Sequence, residues 1–100
     1  MSVKFDDEYS KAFFSAVVSI ENEDECRAFF EDVCTIKELQ SMISRLRVAE
    51  MLDEGKVYAE IVKATGASSA TISRVNRALE YGSDGYKRML EKAHSRKVKE

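Results

Sequence analysis

Between Gly66 and Arg77 the chain gathers side chains suited to contacting a polar partner. These are the hydroxyls of Ser68, Ser69, Thr71 and Ser73, the methyl of Ala70, and the guanidinium groups of Arg74 and Arg77. Hydroxyls bond phosphate oxygens or base edges, a small methyl touches the thymine methyl, and guanidinium supplies charge against the phosphate backbone. Lys63 adds an ammonium just before Gly66. This is binding chemistry, not bond-making chemistry. Catalysis needs an activated nucleophile, a tuned acid or base, or a metal. His94 is the single histidine, and Cys26 and Cys34 stand eight residues apart with no C-x-x-C pair, which lacks the spacing of a structural zinc site. We therefore expect no enzyme, no metal and no cofactor. The cysteines read as reduced, half-buried thiols, and His94 as a surface residue on a basic helix.

Such a face must be carried by a helix, and the surrounding sequence reads as helical. Proline is absent and there are four glycines, too little punctuation for strands and hairpins. The expected fold class is all-α, with about six helices in a single domain of residues 1–100. The first helix spans about Asp6 to Ile20, with Phe13, Phe14, Val17 and Val18 on its apolar face. Asn22 caps a second that carries Cys26, Phe29, Phe30 and Val33. Thr35 and Glu38 form a capping box opening a third, about residues 36–54, which Gly55 ends. Dimerisation helices over about 6–54 are thus followed by a helix-turn-helix over about 57–81. A last helix covers about 83–94, with a charged tail from Ser95 expected to fray.

Gly66 supplies the positive φ that a steep three- or four-residue turn requires. Ile61 before it, with Ile72 and Val75 after it, can lock the two helices, and Ala67 can pack inward. The position four residues before the glycine, ordinarily alanine, is Val62, whose branched side chain is expected to push the helices slightly apart. Beyond the turn, small side chains let a helix sit deep in the major groove, and amides at its N-terminus suit phosphate.

The net charge is −2, but it is unevenly spread. Residues 1–54 hold 13 acidic and 6 basic side chains, whereas residues 55–100 hold 5 acidic and 10 basic. The basic half carries the helix-turn-helix, as a phosphate-facing surface would. No stretch reaches the apolar length of a membrane span, and the first residues have no signal-peptide core, so a cytoplasmic protein is expected. The first three helices carry more apolar surface than so short a chain can bury alone, which predicts a homodimer.

The chain resembles the Trp repressor superfamily, and within it the YerC/YecD group. The segments that carry the resemblance are Phe29–Asp32, Cys34–Leu39, Gly66–Asn76 and Tyr81–Tyr86. It implies an intertwined, all-helical homodimer whose recognition helices enter successive major grooves of double-stranded DNA. The Trp repressor also binds L-tryptophan, and by this resemblance Thr35, Arg45 and Arg74 fall on positions of the effector pocket. Two further positions depart from it. Val75 replaces a glycine and would occupy space the indole ring needs, and Ala78 replaces a serine and cannot accept a hydrogen bond. The expected function is a sequence-specific DNA-binding transcription regulator that does not respond to tryptophan. The alternative is a dimeric protein-interaction module that has lost DNA binding, favoured by the net acidity and Val62.

Overall fold

The computed structural model describes the backbone of residues 4–99 and the side chains of residues 4–95. Six helices follow one another, α1 Glu8–Val18, α2 Glu23–Val33, α3 Ile36–Asp53, α4 Tyr58–Thr65, α5 Ser69–Tyr81 and α6 Gly85–Lys99, with no strand among the described residues. No helix among them is long and apolar enough to cross a membrane. The chain divides into two compact units, one through Leu39 and one from Gln40.

In the first unit the helix starts are written into local side chains. Asp7, extended at φ −73, caps α1 by accepting from the amides of Tyr9 and Ser10. Its carboxyl is held below the ordinary aspartate range, foremost by the Ser10 hydroxyl. Asn22 accepts from the Glu25 amide and starts α2. The capping box closes as expected: Glu38 N–H donates to the Thr35 hydroxyl at 3.0 Å, and Thr35 N–H donates to the Glu38 carboxylate at 2.7 Å. These bonds satisfy amides that a helix N-terminus otherwise leaves without partners. Phe13 and Phe14 meet edge to face at 5.6 Å, Phe29 and Phe30 at 5.3 Å, and Phe13 reaches Phe29 at 6.0 Å. Yet neither α1 nor α2 has a buried residue.

The second unit has the core. Val48, Ala49 and Met51 of α3, Ile61 of α4, and Ile72, Val75 and Leu79 of α5 are buried together, with Leu52, Ala67, Tyr86 and Leu90 packed against them. Burying one such aliphatic side chain contributes about 1.5–3 kcal/mol. The cluster therefore fixes α4 and α5 on the end of α3.

Three expectations change. The first helix begins at Glu8, not Asp6, because Asp7 is its cap. The last begins at Gly85, not Ser83, since Asp84 at φ 66 breaks the chain from α5. It also runs on to Lys99 where a frayed tail from Ser95 was expected; Glu100 lies outside the described residues. No glycine or proline follows Gly85 to stop it.

Candidate nucleic-acid interface

The helix-turn-helix is built outward from three buried residues. Ile61 and Ile72 are 0% exposed and Val75 2%, and they place α4 against α5. Between the helices Gly66 stands at φ 73 in the left-handed region and donates its N–H to the Val62 carbonyl at 2.8 Å. An added Cβ there would meet nothing within 4 Å, so glycine is needed for the dihedral and not for space. Val62 is 41% exposed and outside the buried cluster. Ile61, its neighbour in α4, takes the inward position.

Ser68 is the N-cap of α5. Its hydroxyl accepts from the Thr71 amide and donates to the Thr71 hydroxyl, both at 3.1 Å. Thr71 is half-buried, so of the predicted reading residues it is the least available. Ser69, Ala70, Ser73, Arg74 and Arg77 are all exposed. Their spacing along α5 makes one continuous stripe opposite Ile72, Val75 and Leu79. Lys63 is exposed in the last turn of α4. The two ion pairs among the described residues, Arg27–Glu23 and Arg47–Glu50, involve none of these cations.

The predicted effector residues differ from one another. Thr35 has its hydroxyl engaged by the Glu38 amide. Arg45 on α3 is half-buried and Arg74 on α5 is exposed. Val75 belongs to the buried core and Ala78 is half-buried. A cleft of about 610 Å³ does open in the second unit, but its lining is Glu50, Asp53, Glu54, Glu91 and His94 with Leu90, Ala93 and Ser95. None of the three effector positions lines it. His94 is exposed, as expected, and Cys26 and Cys34 are free and half-buried.

Sequence reasoning overlooked Thr65. Its half-buried hydroxyl donates to the Ile61 carbonyl at 2.8 Å and accepts from the Ala67 amide at 3.1 Å. The signal was present as a threonine directly before the turn glycine, a place where a hydroxyl can reach both the last helical turn and the reversing chain.

Residues 8–94 match the model of the Trp repressor protein family. Uncharacterized protein YerC of Bacillus subtilis (strain 168) is 51% identical over 79 residues, which cover 79% of this chain and 76% of YerC. A TrpR-like protein of Eubacterium eligens superposes with a TM-score of 0.87 at 48% identity, covering 90% of this chain and 93% of its own. A Trp repressor candidate from Staphylococcus aureus superposes at 0.81 and 45% identity, covering 84% of each chain. With the six-helix architecture, the Gly66 turn and a family match over almost its whole length, the chain belongs to the Trp repressor family, alongside YerC.

Proposed function

We propose that this protein is a cytoplasmic, homodimeric transcription regulator that reads double-stranded DNA by laying α5 in the major groove. The observation that carries this reading is the exposed stripe of Ser69, Ala70, Ser73, Arg74 and Arg77 on a helix whose opposite face is fully buried. Small side chains permit close approach to base edges, while the arginines and Lys63 reach phosphate. The second copy would cover the apolar residues that α1 to α3 leave exposed, among them Phe14, Val18, Ile36 and Ile43. Family membership supports a regulator, not an enzyme.

L-tryptophan is not its effector in this reading. Val75 fills the interior behind α5, and a filled position leaves neither volume nor contacts for an indole ring. The deciding experiment is selection of bound duplexes from a random DNA pool, with and without L-tryptophan. Enrichment of a palindromic motif, unchanged by tryptophan, is expected. A pool that stays random at low ionic strength would overturn DNA reading and favour the interaction-module alternative. Ala70→Glu should abolish enrichment while the oligomer persists, since it sets a carboxylate against the phosphates from a position outside the core.

A further inference from the structure

The turn contains a pair of hydroxyl clasps. Thr65 closes the C-terminal end of α4, donating to the Ile61 carbonyl and accepting from the Ala67 amide across the reversing chain. Ser68 closes the N-terminal end of α5, engaging both the amide and the hydroxyl of Thr71. Between them Gly66 N–H is bonded to Val62, and Ala67 packs on the core formed by Ile61, Ile72 and Val75. Both hydroxyls of the reversal and the Gly66 and Ala67 amides are thus held by the chain itself.

We infer that Thr65 and Ser68 are positioning residues that hold α5 in its reading orientation without any effector, so that the reading head is constitutively ordered. The inference rests on the DNA-reading function proposed above and specifies its regulation. A ligand that acts through the conformation of the head shifts it only as far as it binds one state better than another. A head already fixed by its own hydroxyls and by Val75 leaves such a ligand little population to shift. Control then lies in the amount of protein or in competition for the DNA.

Amide exchange of the full-length, ligand-free protein, read by NMR, tests this together with affinity for the selected duplex. Wild-type Ala67 and Thr71 amides should be protected. Thr65→Val keeps the shape and removes the hydroxyl, and should raise Ala67 exchange and weaken duplex binding, each about tenfold. Thr65→Ser should restore both. The salt dependence of binding should not change in either, because no phosphate contact is lost. Ser68→Asp gives a second reading: an aspartate cap keeps the Thr71 amide protected while its charge weakens DNA binding. Ala67 exchange in Thr65→Val equal to wild type would overturn the inference. So would wild-type amides that gain protection only when L-tryptophan is added. If wild type enriches no duplex, the DNA reading fails by itself, and the exchange data still decide whether the clasps order the turn.

Discussion

Two glycines illustrate how differently the same residue type can be constrained. Gly66 has open space around the position of a Cβ but a φ of 73, so its demand is on the backbone alone. Gly82 has an ordinary negative φ, but a Cβ would stand 2.3 Å from the Ala78 carbonyl oxygen. That carbonyl also accepts the Gly82 N–H at 2.9 Å as α5 ends. Gly66→Ala should therefore cost about 1–2 kcal/mol, the price of a left-handed residue with a side chain. Gly82→Ala should cost more, because backbone must move before the methyl fits. Urea unfolding of the two variants against wild type measures both, and equal midpoints would refute the distinction.

Helix ends were the most legible part of the sequence, for a physical reason. A cap is decided within three or four residues, so Asn22 and the Thr35–Glu38 box could be found without knowing the fold. The inward set of Ile61, Ile72 and Val75 was legible too, from helical spacing. What escaped depends on the path of the chain. The exposure of Val62, the two hydrogen bonds of the Thr65 hydroxyl and the start of α6 after Asp84 all follow from how the backbone turns. On α5, the helix and its small residues were readable, but the engagement of the Thr71 hydroxyl by Ser68 was not.

The box at α3 also makes a prediction about pH. The Glu38 carboxyl is held below the ordinary glutamate range, chiefly by the Thr35 backbone amide and then by the Thr35 hydroxyl. A group whose folded pKa is depressed adds stability above its unfolded pKa and loses it as pH falls through the folded value. The start of α3 should therefore remain intact at neutral pH and loosen only in acid, below about 4.3. Following the Thr35 amide resonance by NMR during acid titration checks this. Its transition should have a midpoint below the usual glutamate value and should vanish in Glu38→Gln. A midpoint at or above that value would contradict the assigned hydrogen bond.

The two ends of the chain solve different problems. From Gln40 onward the protein has its own buried core, and α5 is fixed by it. Up to Leu39 it has an aromatic cluster but no buried residue in α1 or α2, and Val18 and Ile36 remain 83% and 78% exposed. In the second unit Ile43 and Leu46 of α3 are exposed as well. So much uncovered aliphatic and aromatic area is unfavourable in water, and in the proposed dimer a second copy presenting the same residues would remove it for both. In the proposed mode a symmetric DNA site read by two α5 helices would require the same assembly, which would tie DNA reading to dimerisation. Phe14→Glu in α1 and Ile43→Glu in α3 each replace an exposed apolar side chain by a carboxylate. Sedimentation equilibrium should find wild type as a dimer and both variants shifted toward monomer, with affinity for the palindromic duplex lowered by at least about tenfold through loss of the second half-site. A wild type that sediments as a monomer, or variants that dimerise and bind as wild type does, would separate the reading head from the assembly and remove the dimer from the proposed mechanism.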